Sequence, residues 1–229
     1  MTKKMFFDAG PLITLIMSRQ IDLLPALKKK FNGEFYITPA VHLELVERPL
    51  SIRRFSLEAL EVEKLIREGV LNVYELVPSG KVNELINLAN HSFFINGKSL
   101  DILQSGEMES IVSALQEDSP IVMDERTLRL LIENPTEMKS LLEKRFQKNV
   151  DCDIEKAKAF SKSLQEVPII RSIELIAVSY RLGLLNNYIP EGKDGQSVLL
   201  DSLFWAAKYG GCAVTQDEIE EMKKELLKK

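Results

Sequence analysis

The sequence predicts an α/β fold, with a central, mostly parallel sheet flanked by helices. Three observations carry that expectation. Short apolar runs alternate with stretches of helical period. The order at the start of the chain is strand, helix, strand, helix, which is the order of parallel βα units. The composition is that of a globular chain, with 45% of 229 residues hydrophobic and 28% charged. That length suits one large domain over residues 1–229 with a sizeable core.

The elements follow in order. Met5-Phe6-Phe7 is a buried strand ending at Asp8. Ala9-Gly10-Pro11 then turns the chain into a helix carrying Leu12, Ile13, Leu15 and Ile16, because Pro suits a first helical turn. A second helix covers Ile21 to Lys30, and Asn32-Gly33 breaks it. Phe35 to Thr38 is the second strand. Pro39 opens a helix that holds Glu44 and is expected to stop at Pro49.

Beyond that point the pattern loosens. Phe55 to Gly69 is amphipathic, Val70 to Val77 reads as a strand, Lys81 to Asn90 as a helix, and His91 to Leu100 fits neither period. Ser105-Gly106-Glu107 opens a helix with Ile111, Val112, Ala114 and Leu115 as its apolar stripe. Ile121-Val122-Met123 is a strand ending at Asp124, and a helix runs from Glu125 until Asn134-Pro135 stops it. Met138 to Phe146 and Ile154 to Leu164 are charged amphipathic helices. Val167 to Ile170 is a short strand. Helices at Ser172–Leu185, Val198–Tyr209 and Asp217–Leu227 close the chain.

Charge and composition exclude several classes. The net charge is −4, from 30 basic against 34 acidic residues, which argues against a wholesale electrostatic nucleic-acid binder. It leaves room for a nucleic-acid enzyme, since acids gathered at a metal would lower the sum. Lys28-Lys29-Lys30, Arg53-Arg54 and Lys139 to Lys148 are local basic runs that also read as solvated helix faces. No apolar run reaches the roughly 18 residues of a membrane span, so no membrane role is expected. Asp8 interrupts the apolar start too early for a signal peptide, which points to a cytoplasmic protein. Two cysteines, Cys152 and Cys212, make neither a disulfide framework nor a zinc module.

Four acids suggest chemistry. Asp8 and Asp124 each end a strand, and ligands in open parallel sheets sit beyond the carboxyl ends of strands. Glu44 follows Ala40 and Val41 by four and three positions, so it leans toward a buried face. Glu107 falls on a first helical turn on the side of Ile111 and Ala114, with Glu109 about 200° round the helix. Singly, each has a plain structural reading: Asp8 and Asp124 as helix caps, Glu107 as a complement to a helix dipole, Glu44 as a part-exposed helix residue. Together they would place about four negative charges at one edge, which a divalent cation makes tolerable. Oxygen-only ligands favour Mg²⁺ or Mn²⁺.

At these residues the chain resembles the PIN-domain family of metal-dependent ribonucleases that act on single strands. Phe7-Asp8-Ala9-Gly10-Pro11-Leu12-Ile13 resembles the family's first motif, and Phe35 to Glu44 its second strand and acid-bearing helix. Gly106-Glu107-Met108-Glu109 with Ile121-Val122-Met123-Asp124-Glu125-Arg126 resembles a mostly prokaryotic branch. In that branch a Gly-Glu-x-Glu helix start replaces the commoner Asp, and Asp-Glu-Arg follows the next strand. The tail, Ser172–Leu185 and Leu199 through Val214, matches the same branch. The resemblance implies a PIN-like three-layer fold, with residues of about 50–100 and 132–165 as helical insertions. It implies Asp8, Glu44, Glu107 and Asp124 as catalytic, metal-holding acids, Mg²⁺ or Mn²⁺ as cofactor, and RNA as substrate. A homodimer is also implied by the resemblance. A toxin held by a small antitoxin-like protein is a biological variant, although this chain is longer than the usual compact toxin.

Some positions depart from the family. Gly10 stands where many members carry Ser or Thr, so a hydroxyl near the metal is absent. Glu125 reads as a helix start, with a metal or water contact as the other reading. Arg126 and Arg129 would steer an RNA backbone or make surface ion pairs. Arg171, in place of a small residue before Ser172, would meet a phosphate or sit at the surface. Asp201 and Asp217 mimic the spacing of Glu107 and Asp124, but Asp201 reads as structural. His42 and His91 lack partners at metal-ligand spacing. The leading expectation is a metal-dependent endoribonuclease. The alternative is a non-catalytic PIN-like scaffold binding RNA or protein. A phosphatase with an aspartyl nucleophile ranks last, because Gly10 occupies the place of its second acid.

Overall fold

A computed structural model describes residues 2–228, so Met1 and Lys229 of the 1–229 expectation lie outside the described residues. The chain runs β1 (Lys3–Phe7), α1 (Ala9–Met17), α2 (Leu23–Phe31), β2 (Gly33–Ile37), α3 (Pro39–His42), a π turn (Leu43–Glu47) and α4 (Arg48–Leu50). It continues with α5 (Ser56–Arg67), β3 (Leu71–Val73), α6 (Ser79–Asn90), β4 (Phe93–Ile95), β5 (Lys98–Ser99), α7 (Ser105–Gln116), β6 (Ile121–Val122) and α8 (Arg126–Glu133). It ends with α9 (Pro135–Phe146), β7 (Asp151–Cys152), α10 (Ile154–Leu164), β8 (Ile169–Ile170), α11 (Ser172–Arg181), α12 (Gly195–Gly210) and α13 (Gln216–Leu227).

The main sheet has five parallel strands in the order β3-β2-β1-β6-β8. Helices cover both of its faces, which is why its strands are apolar throughout rather than alternating. On β1, Met5 and Phe7 point into one core with Phe35, Ile37, Leu71 and Val122, beneath α1, α2, α5, α11, α12 and α13. Phe6 points to the other side with Ile121 and Met123, beneath α6 to α10. Phe6 stacks on Tyr36 at 5.6 Å and meets Tyr74 edge-on at 5.0 Å, so aromatic area seals that side of the strand. The result is the three-layer α/β architecture read from the sequence.

The two stretches expected as insertions lie together. A small antiparallel sheet, β5-β4-β7, joins β4 from the first stretch to β7 from the second. Its hairpin turns at Asn96 and Gly97, with φ of 51° and 75°, the pair that a two-residue turn with left-handed residues demands. The first stretch is not wholly separate, because β3 is an edge strand of the main sheet. Two boundaries differ from expectation. Asn134-Pro135 ends α8 but also starts α9, the Asn134 side chain accepting from the Glu137 amide at 3.2 Å. Pro49 does not stop its helix. The preceding turn widens, the Arg48 amide donating to the Leu43 carbonyl five residues back, and the helix continues to Leu50. A proline ring crowds the carbonyl four residues before it, and the wide turn gives it room.

Candidate active site

The strand register puts the first acids in place. Phe7 pairs with Val122, so Asp8 and Asp124 leave the carboxyl ends of neighbouring strands. The Asp8 amide donates to the Val122 carbonyl at 3.0 Å, fixing the start of α1 against β6. β2 ends beside them, and Thr38 caps α3, its hydroxyl accepting from the Val41 amide. Glu44 projects from the π turn that follows. Glu107 comes from the first turn of α7, whose Gly106 lies close to the Glu44 helix. A Cβ there would stand 3.8 Å from Ala40 Cβ and 3.9 Å from Glu44 Oε2. Asp8, Glu44, Glu107 and Glu125 wall a cavity of about 480 Å³, and Asp124 borders it.

The electrostatics of this cavity are those of an uncompensated acidic cluster. Asp8 is 6% exposed and stands at the N-cap position of α1 without closing a capping hydrogen bond. Burial, with repulsion from Glu44 and Glu125, pushes its carboxyl up to about 6, against partial relief from the Ala9 and Gly10 amides. Burial likewise pushes Glu107 up to about 8, with repulsion from Glu125, Asp8 and Glu44. Among the described residues, no ion pair reaches any of these four carboxylates. Arg48 and Arg126 border the cavity without pairing. The oxygens are not drawn to one point. Among the described residues, no three acids stand close enough to hold an ion between them.

Asp124, expected as a fourth ligand, borders the cavity but is already engaged by neighbouring donors. Its Oδ2 accepts from the Thr14 hydroxyl at 2.8 Å and the Ser172 hydroxyl at 2.7 Å, and its Oδ1 accepts from the Ser172 amide at 2.8 Å. This carboxylate ties β6 to α1 and to the start of α11. Three donors offset its charge in the ion-free protein. Glu125 also stands beside the acids. It caps α8, its Oε2 accepting from the Leu128 amide at 2.6 Å, and it also repels Asp8 and Glu107 across the cavity. It therefore does more than start a helix.

The basic candidates separate. Arg126 is exposed on the rim of the acidic cavity. Arg129 faces a neighbouring cavity one helical turn on. Arg171, expected either to meet a phosphate or to sit at the surface, is engaged by two carboxylates. Its guanidinium donates to Glu174 Oε1 at 2.7 and 2.9 Å and to Glu218 Oε1 at 2.6 Å, joining α11 to α13. Asp201 pairs with Lys223 at 2.7 Å, away from the acids. Cys212 is buried beside Asp124 and Ser172, and burial pushes its thiol up to about 12, so it is inert. Arg48 went unread in the sequence, although it follows Glu44 by four residues and shares its face.

A buried acidic cavity at the carboxyl edge of a parallel three-layer sheet defines the class. A family model described as a PIN domain matches residues 4–134, more than half of the chain, and the chain belongs to the PIN-domain family. The match spans Asp8, Glu44, Glu107, Asp124 and Glu125. No curated protein matches the chain. The crystal structure of VapBC2 from Rickettsia felis, bound to a DNA fragment from its promoter, aligns at 11% identity and a TM-score of 0.43. That alignment covers 73% of this chain and 98% of the other. A likeness that distant carries no functional weight. No helix among the described residues is long and apolar enough to cross a membrane.

Proposed function

We propose that the protein is a divalent-cation-dependent endoribonuclease whose acidic centre is Asp8, Glu44, Glu107 and Glu125, with Asp124 as the positioning residue behind it. The observation that carries the reading is Asp8: nearly out of water, closing no side-chain cap, and grouped with three other carboxylates without an ion pair to any cationic side chain among the described residues. Membership of the PIN-domain family supports the nuclease class. The donor set fits a hard cation, since all four side chains offer only carboxylate oxygen. Mg²⁺ or Mn²⁺ bound there would supply Lewis acidity, making a water more acidic and offsetting charge on the phosphodiester and leaving oxygen.

The chain's own groups do the rest. In the ion-free protein, Asp8 and Glu107 hold protons at acidic pH, and these leave when a cation enters. Glu125 is held by its cap to the Leu128 amide, which presents its second oxygen without loss of rotamer freedom on binding. Asp124 fixes the relative position of β6, α1 and α11, so the ends of the two central strands keep their spacing. Arg48 and Arg126 on the rim attract an RNA backbone toward a centre that would otherwise repel it.

The test is cleavage of a single-stranded oligoribonucleotide by pure protein with Mn²⁺, compared with Asp8→Asn and Glu107→Gln. Cleavage by the wild type and its loss in both variants is expected. Equal turnover in all three proteins, or none in the wild type with either Mg²⁺ or Mn²⁺, overturns the reading.

A further inference from the structure

A second cavity, of about 430 Å³, lies against the acidic one and shares Arg126 and Ala213 with it as a common wall. Its character is opposite. Arg126 and Arg129, three residues apart on α8, share one helix face and line it, and Lys208 lines it from the last turn of α12. The Lys208 ammonium is 5.1 Å from the Trp205 ring centroid, which steadies it. None of these three cations is in an ion pair among the described residues. Two carboxylates also border the cavity. Glu218 is engaged by Arg171 and by the amide and hydroxyl of Thr215, and Glu133 pairs with none of the cations.

Arg129 is the informative residue. Its Nη1 is buried and donates to nothing among the described residues. A guanidinium keeps its charge, and a buried charged donor without an acceptor is costly. Arg129 lines the cavity, so an anion seated there would draw the guanidinium round and give Nη1 an acceptor, and guanidinium geometry suits phosphate oxygens. The shared wall decides which anion. A ligand reaching from one cavity to the other must present negative charge to the arginines and reacting phosphate to the acids, which describes a polyanionic chain.

We propose that this cavity is a phosphate subsite, in which Arg129 and Lys208 hold a backbone phosphate of single-stranded RNA next to the one at the acidic centre. The identity of the strand rests on the nuclease reading above. The subsite sets which stretch of backbone lies across the acids, so Arg129 acts in positioning rather than in bond cleavage.

The experiment is fluorescence anisotropy of a labelled oligouridylate of about a dozen nucleotides, titrated with wild-type protein in EDTA across a KCl series. Arg129→Gln and Lys208→Gln are each expected to bind roughly tenfold more weakly and to lower the salt slope by about 0.7, as for one phosphate on a single strand. Arg129→Lys is expected to keep the slope and lose part of the affinity, which separates charge from folding. An unchanged slope and affinity in Arg129→Gln, or no measurable binding by wild type, overturns the subsite. Cleavage with Mn²⁺ is scored separately. An Arg129-dependent slope without cleavage removes the nuclease reading and leaves the subsite, whereas cleavage with no Arg129 dependence does the reverse.

Discussion

Asp8 and Asp124 follow adjacent parallel strands, one and two residues beyond the Phe7–Val122 pair, and are almost equally removed from water, at 6% and 2% exposure. Their chemistry diverges because of what surrounds each carboxylate. Asp124 accepts from two hydroxyls and an amide, and its charge is held by the fold itself. Asp8 closes no cap and faces three other acids, and its carboxyl is pushed up to about 6. Burial alone does not distinguish the acid proposed as reactive from the one proposed as positioning. The count of donors around it does.

Substitution separates the two most sharply. Asp8→Asn is expected to lower Mn²⁺-dependent cleavage by about a thousandfold or more, since several kcal/mol of charge stabilisation depend on the centre. The same change removes a repelled charge, so the ion-free protein should be no less stable in urea. Asp124→Ala should do the opposite to stability. It strands the Thr14 and Ser172 hydroxyls and the Ser172 amide, at a cost of about 3 kcal/mol. If Asp124→Asn were to abolish cleavage while unfolding as wild type does, Asp124 would be a ligand and the contrast would be void.

The pH dependence of the ion-free protein tests the acidic half on its own. Asp8 and Glu107 are raised above their ordinary values of 3.8 and 4.5, to about 6 and about 8. The folded state therefore binds more protons than the unfolded chain between those limits, and stability falls as pH rises through that window. Thermal unfolding in EDTA should drop from about pH 5 to about pH 8, by a few kcal/mol in total. Mn²⁺ should reverse the trend, binding more tightly as the protons leave. The slope should shrink in Glu107→Gln and persist in a variant at Asp201, whose carboxylate is already paired. A flat profile in EDTA would mean that the four acids do not confront one another.

Much of this was legible in the sequence, for physical reasons that also mark its limits. The parallel sheet was readable because apolar runs such as Met5-Phe6-Phe7 are buried on both faces and carry no alternation to confuse. Asp8 and Asp124 were readable as strand ends. The donors that engage Asp124 were not, because Thr14 and Ser172 lie 110 and 48 residues away and meet it only through tertiary packing. Glu125 was read as a helix start, and it is one, but the sequence does not show that its cap leaves it facing Asp8. The Asn96-Gly97 hairpin fell in a stretch that fitted neither period, because β4, β5 and β7 are only two or three residues long. Pro49 misled because a π turn upstream absorbs the clash that usually ends a helix.

The smallest test places one methyl between the two aspartates. Gly10 lies in the first turn of α1, where an added Cβ would stand 3.7 Å from both Asp8 Oδ2 and Asp124 Cβ, an ordinary contact distance. Gly10→Ala should gain about 0.5–1 kcal/mol from helix propensity and the narrower unfolded ensemble. That gain should show in full near pH 5, where the Asp8 carboxyl is protonated. It should fade above about pH 7, where the methyl would exclude water from an ionised Asp8. The hydrogen-bonded Asp124 should contribute nothing to the difference, since its oxygens already face Thr14 and Ser172. Urea unfolding of the two proteins in EDTA at both pH values reads the effect. An equal gain at both would show that Asp8 is no more sensitive to its surroundings than its neighbour.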